Sequence, residues 1–210
     1  MIREEQRINR ELKKRLPQEI RKLNKKYRLQ YAHEFLYRFE GDFLYIGMPS
    51  ISAMKCGSLS NSVEIKPWVL DEIYWRVQRM NMEEMLRQPK SFHVRGVFTV
   101  GHIYFDKLAV YQVASDNFAE IVEQMLIDFD KFIVDHKKVL KNIDCIKNDI
   151  DGYQISDMNK ALMYINQGEY EKALLTLQNG NKDYGIVHMD SKGKNAKEYA
   201  IDYCLEAMNK

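Results

Sequence analysis

Near the start of the chain, apolar residues recur at spacings of three and four: Ile8, Leu12, Leu16, Ile20, Leu23 and Tyr27. A 3.6-residue period places them on one stripe, so the segment reads as an amphipathic helix. Pro17 interrupts it. Either the helix kinks there, or a second helix begins with Pro17 in its first turn, where the missing N–H costs least. The period then shortens. Residues 29–39 are rich in Tyr, Phe and Leu, and Phe43–Met48 continue the pattern after Glu40-Gly41-Asp42, a short Gly-bearing connection that fits a β-hairpin. His33, Phe35, Tyr37 and Phe39 fall on one face of that strand, with Glu34, Leu36, Arg38 and Glu40 on the other. Both faces carry apolar groups, so part of each is expected to be covered.

Residues 49–61, serine-rich with Pro49 and Gly57, read as a loop, and Val63 and Ile65 as a short strand ending before Pro67. From Pro67 the pattern is helical through Val69, Ile73, Val77 and Met80. Asn81 is placed to cap a further short helix with Met82, Met85 and Leu86, which Pro89 ends. A second β region is expected over about 91–114. There Phe92, Val94, Phe98 and Val100 alternate with His93, Arg95, Val97 and Thr99, and the chain turns at either Val100-Gly101-His102 or Asp106-Lys107. Asn117 and Glu120 have the spacing of a capping box. Behind them Phe118, Ile121, Val122, Met125, Leu126, Phe129, Phe132, Ile133 and His136 form the longest apolar stripe in the chain. Its acids Glu120, Glu123, Asp128, Asp130 and Asp135 read as the solvated side.

After 149–152 the pattern is wholly helical. One helix starts at Ser156 or Asp157 and breaks at Gly168. A partner runs from Tyr170 to Asn179-Gly180, and a last helix is capped by Asn195 with Glu198. Residues 181–194 read as a polar loop. Asn166–Ala173, with Ala161, Tyr164 and Leu177, resembles a tetratricopeptide helix pair, although Lys160 takes an apolar place and no second copy follows. Such repeats need about three stacked units to bury their faces, so a single locally packed hairpin is expected. The fold class is therefore α+β: an antiparallel sheet from two β regions, packed against the long helix and the N-terminal helix, followed by a helical segment. The expected division is an α+β domain over 1–150 and a helical appendage over 151–210.

Charge and composition sharpen the function classes. The chain has 210 residues, 45% of them apolar, which suffices for a sizeable core. Net charge is only +2, yet residues 1–28 hold eleven Lys/Arg against four Glu, leaving the remainder at −5. Such an arm, with Arg21, Lys22, Lys25, Lys26 and Arg28 at its end, is either a surface for nucleic acid or an acidic partner, or the solvated face of a helix docked on an acidic body. Cys56, Cys145 and Cys204 are odd in number and far apart, which points to reduced thiols in a cytoplasmic setting. No charge-free apolar run approaches the roughly 20 residues of a spanning helix, and no secretory leader is expected.

Candidate chemistry is sparse. No GxSxG, Walker A, dinucleotide-binding or HExxH motif occurs, so no catalytic, cofactor-binding or metal-binding residue and no cofactor is assigned. His93 and His102 would meet across a hairpin with Asp106 near in sequence, a polar cluster that could equally be a polar strand face. His33 and His188 have no evident partner, and His136 reads as a core or edge histidine. Gly185 and Gly193 are too isolated to cradle a phosphate, and Cys56 beside Lys55 is a loop cysteine whose thiol pKa a lysine could lower. Trp68 and Trp75 lie seven apart on the predicted helix, which places both indoles on one face, as core or as a partner-binding patch. Tyr27, Arg28, Tyr31, Tyr37 and Arg38 have the interleaved composition that stacks and neutralises nucleic acid.

The segment Ile65-Lys66-Pro67-Trp68-Val69-Leu70-Asp71-Glu72-Ile73-Tyr74-Trp75, set between an aromatic hairpin and a second β region, resembles bacterial domain families of unknown function. Some of those look like immunity proteins against polymorphic toxins. The resemblance covers roughly residues 8–140 and rests on Asp71, Ile73, Trp75 and element order. It implies a binding role and transfers no catalytic residue. The expectation is a non-enzymatic bacterial protein that binds another macromolecule, an unknown protein being the favoured partner, with an immunity or regulatory module as one form of that role. The alternatives are nucleic-acid association through the basic arm, and an enzyme using His93 or His102 near a carboxylate.

Overall fold

The computed structural model describes residues 2–52, 57–95, 98–147, 150–180 and 194–210. Five strands, β1 (Gln30–Ala32), β2 (Phe35–Glu40), β3 (Phe43–Ile51), β4 (Ser58–Lys66) and β5 (Tyr104–Gln112), form one antiparallel sheet in sequence order, bordered by β1 and β5. The helices are α1 (Ile2–Leu23), α2 (Leu70–Val77), α3 (Met82–Leu86), α4 (Phe92–Arg95), α5 (Phe118–Val139), α6 (Asp157–Asn166), α7 (Tyr170–Asn179) and α8 (Ala196–Met208). The class is α+β, as the pattern predicts. Residue contacts fall into two compact units. One comprises Met1–Glu40, Leu44–Ile65 and Phe105–Leu140; the other comprises Gly41–Phe43, Lys66–Tyr104 and Lys141–Lys210. No single cut along the chain separates them. Cys56 with Lys55, and the segment 181–193 with Gly185, His188 and Gly193, lie outside the described residues.

In the first unit α1 runs through Pro17 as one helix, burying Leu12, Leu16 and Ile20 and leaving Arg7, Arg10, Lys13, Lys14, Arg21 and Lys22 exposed, while half-buried Arg15 donates to the Ser115 carbonyl. The strand expected over 29–39 is instead two. Ala32 pairs with Phe35 and Gln30 with Tyr37 around a two-residue turn, His33-Glu34. Both turn residues have positive φ, 51° and 69°. That geometry matches the right-handed twist of a hairpin but is usually supplied by Asn-Gly, so neither residue type signals it. The predicted turn at 41–42 is present, with Gly41 at φ 56°.

The core of this unit lies between α5 and the sheet. Phe118, Val122, Met125, Leu126, Phe129 and Ile133 are fully buried. Gly47 on β3 lets Phe129 approach so closely that a Cβ there would sit 3.2 Å from the ring and 3.3 Å from Asn61 Oδ1. Asn61 is itself fully buried, and neither amide atom finds a hydrogen-bond partner. Several α5 acids do more than face solvent. Asp130 pairs with Arg38 at 2.6 Å, Glu123 with Lys26 at 2.6 Å, and Asp128 accepts a 2.6 Å hydrogen bond from the Tyr111 hydroxyl. Burial, with Asp128 adding to it, pushes the Tyr111 hydroxyl well above its ordinary range. The capping box expected at α5 does not form: Asn117 Oδ1 accepts from the Ala114 N–H at 2.7 Å instead.

His136, near the end of α5, packs 4.2 Å from Phe132, and burial lowers its pKa from the usual 6.5, opposed by Asp135. The unfolded chain therefore takes up the proton more readily than the folded one. This contribution to stability is complete above the unfolded value and is lost as pH falls through the folded one. We expect the urea midpoint of His136→Gln to lose less than that of the parent between about pH 7.5 and about pH 5. Identical pH profiles would refute the assignment.

The second unit is helical. Asn81 caps α3 by accepting from the Glu84 N–H at 3.3 Å, Ser156 caps α6 through the Asn159 N–H at 3.1 Å, and Asn195 with Glu198 forms a complete capping box on α8. Helices α6 and α7 pack as the expected hairpin around Ala161, Ala173 and Leu177, and α8 adds Ala200 and Cys204. Burial pushes the Cys204 thiol up to about 11, so it is an inert core group. No helix among the described residues is long and apolar enough to cross a membrane.

Candidate functional site

Pro67 lacks an N–H and ends the β4 ladder immediately after Lys66. A tight turn follows, with Leu70 N–H bonded to Pro67 O and Asp71 N–H to Trp68 O, each at 3.0 Å, and α2 begins at Leu70. Asp71 therefore sits in the first turn of α2, where the exposed N–H groups of a helix favour a negative charge. Its carboxylate is completely buried. One oxygen accepts the Val100 N–H at 2.7 Å; the other lies 2.7 Å from His93 Nδ1 and 3.6 Å from Lys66 Nζ. Lys66 Nζ also donates to the His93 carbonyl at 2.7 Å. Because an ionised carboxylate can only accept, the proton of His93 is on Nδ1.

Three separate stretches, ending β4, forming α4 and preceding β5, are thus tied to one buried acid. The residues flanking His93 are not a strand. After Pro89 the N–H groups of Phe92, His93 and Val94 bond to the carbonyls three residues back, making a helical turn. Among the described residues of the expected second β region only Tyr104–Gln112 is a strand, and Asp106-Lys107 lies inside it rather than at a turn. The hairpin that would set His93 opposite His102 is absent. His102 is exposed, and exposed Asp106 accepts from the Lys107 N–H at 2.6 Å. Among the described residues no group of three or more His, Cys, Asp or Glu could hold a metal ion.

Trp75, at 2% exposure, stacks on the His93 ring at 5.4 Å, and its indole N–H donates to the Phe98 carbonyl. Trp68 lies in the turn before α2 rather than on the helix. Its indole N–H donates to the Gly41 carbonyl at 3.0 Å, and its ring meets His93 edge-on at 5.3 Å. The two indoles and the imidazole line a hollow of about 220 Å³ together with Val69, Glu72, Met85, Leu86 and Gln88. Among the described residues neither Asp71 nor Lys66 lines it, nor does any Ser, Thr or Cys. The acid acts from behind, holding the imidazole in place.

The basic residues singled out in the sequence lie in the other unit. Arg21, Lys22, Lys25, Lys26 and Arg28 are exposed; Lys22 pairs with Glu19, Lys26 with Glu123, and the Arg21 guanidinium lies 5.7 Å over the Tyr31 ring. Tyr27, Arg28 and Arg38 meet in a cleft of about 310 Å³, where Glu40 and Asp130 neutralise Arg38.

No sequence motif marks Lys66 as a site residue, and Asp71 stands out in the sequence only through the resemblance of its segment. Asp71 precedes Trp75 by four, so the spacing that groups the two indoles also puts this acid on their face. Compared with known family models, with curated proteins and with solved structures, the chain matches none.

Proposed function

We propose that the chain is a non-enzymatic binding protein that receives an apolar side chain of a protein partner in the hollow of its second unit. The hollow carries this reading. At about 220 Å³ it is smaller than the roughly 300–1,000 Å³ of sites for drug-sized ligands. One large side chain fits it. Rigid indole walls, Met85 and a Leu86 that is 61% exposed are the composition of an interface anchor pocket. A toxin is the partner class that the resemblance of the segment around Asp71 implies, with the chain as its immunity or regulatory module. Titration calorimetry against the product of the adjacent gene tests this. Leu86→Asp, a surface change, is expected to weaken binding about 30-fold, the effect of losing an anchor worth about 2 kcal/mol. Unchanged affinity in Leu86→Asp and Trp68→Ala alike would overturn the reading.

A catalytic reading rests on one observation: a buried acid orienting an imidazole resembles the His–Asp half of a hydrolytic triad. Two features weigh against it. Among the described residues no Ser, Thr or Cys lines the hollow, and both oxygens of Asp71 are engaged in fixing the chain around them. His93→Gln separates the two, since it would abolish acid–base chemistry while leaving the walls of an anchor pocket in place.

A further inference from the structure

We propose that the exposed face of α1 and the turn that follows it bind the phosphate backbone of nucleic acid. Leu12, Leu16 and Ile20 face the core, and Arg10, Lys13 and Lys14 lie on the outward side, with Lys25 and Arg28 continuing beyond the helix end. At 100° per residue, Arg10, Lys13, Lys14 and Arg21 fall within an arc of about 100°, and Arg10 to Arg21 spans about 16 Å along the axis. Among the described residues none of Arg10, Lys13, Lys14, Lys25 and Arg28 has a carboxylate within ion-pair distance; the carboxylates that do meet this stretch are taken by Lys22 and Lys26. Glu19 of the helix itself and Glu123 of α5 thus take up part of the charge of this stretch, and a row of cations is left to solvent.

What fits such a row is decided by what the face lacks. The exposed large apolar residues of the chain fall elsewhere, from Leu86 to Met208, and none is on α1 among its described side chains. A protein interface draws its affinity from buried aromatic or aliphatic anchors and is depleted in lysine at its core. A phosphate backbone needs only cations at intervals, each displacing a condensed counterion. With phosphates about 3.4 Å apart along a strand, the arc from Arg10 to Arg21 spans about five of them. Glu11, exposed on the same helix, is the acid that sets the upper limit on the field.

The test is fluorescence anisotropy of the full chain with labelled duplex DNA, single-stranded RNA, polyglutamate, and vesicles of phosphatidylserine and phosphatidylcholine. Five neutralised phosphates give a slope of about −4 to −5 in log K against log salt on the duplex, a loss on the order of a few hundredfold between about 50 and about 200 mM. The variant Arg10→Gln, Lys13→Gln, Lys14→Gln, Lys25→Gln is expected to shrink that slope by about 3 to 4. Its substitutions are exposed, so its circular dichroism and melting should match the parent. The proposal is overturned by no nucleic-acid binding at low salt, by a slope the variant does not change, or by equal or tighter binding to polyglutamate or vesicles.

Discussion

Replacing Asp71 with alanine is expected to cost about 3–5 kcal/mol of stability, the penalty for stranding a buried charge by removing its partner. The stranded group is Lys66, only 4% exposed. The Val100 N–H, also directed at Asp71, loses its acceptor at the same time. Asp71→Asn keeps an acceptor for that N–H but not the charge, so it should fall between parent and alanine variant. Adding Lys66→Met to Asp71→Asn should recover part of the loss, because two apolar or neutral groups replace one unpaired ion. Both tryptophans of the chain, Trp68 and Trp75, meet His93 in this unit. Intrinsic fluorescence during urea unfolding therefore reports directly on the stretch that Asp71 holds. An alanine variant unfolding within about 1 kcal/mol of the parent would mean that the carboxylate is not the organising group.

Phe129→Ala is expected to cost a similar amount, about 3–5 kcal/mol, through loss of a fully buried ring and the cavity left behind. The neighbour across the cavity makes the test sharper. In the parent, Gly47→Ala pushes a methyl to 3.2 Å from the ring and should destabilise by about 1–3 kcal/mol. In Phe129→Ala the same methyl enters the vacated space. The second substitution should then be neutral or stabilising, a coupling of about 0.5–3 kcal/mol across the double-mutant cycle. Relief is only partial, because Asn61 Oδ1 stands 3.3 Å from the same methyl. Strict additivity would show that Gly47 is not a glycine for the sake of Phe129.

Much of this architecture was legible in advance because it follows from period and punctuation. The α1 and α5 stripes, the Gly41 turn, the Asn81, Ser156 and Asn195 caps and the α6–α7 hairpin all stand where spacing puts them. The misreadings share a physical origin. Around His93 an alternation of apolar and polar residues looked like a strand, but Pro89 and the pull of Asp71 on both His93 and Val100 make a helical turn instead. At Asn117 the right residue types were present, yet the side chain bonds back to Ala114. Local sequence names the groups able to form such bonds, whereas tertiary packing chooses between their partners. For the site, the tryptophans were visible in sequence and their neighbour Lys66 was not. Its burial depends on the segment folding back over it.

The two borders of the sheet differ in how they meet other chains. On one side stands β1, three residues long and closed by a tight turn of His33 and Glu34. It offers little template for further pairing. On the other side β5 is nine residues long, with Phe105 at 59% and Val110 at 50% exposure. Only Asp106 and Lys107, side by side in the strand, interrupt its apolar character with charge. Unwanted polymerisation by strand addition would accordingly proceed from a single side, with those two residues as its gatekeepers.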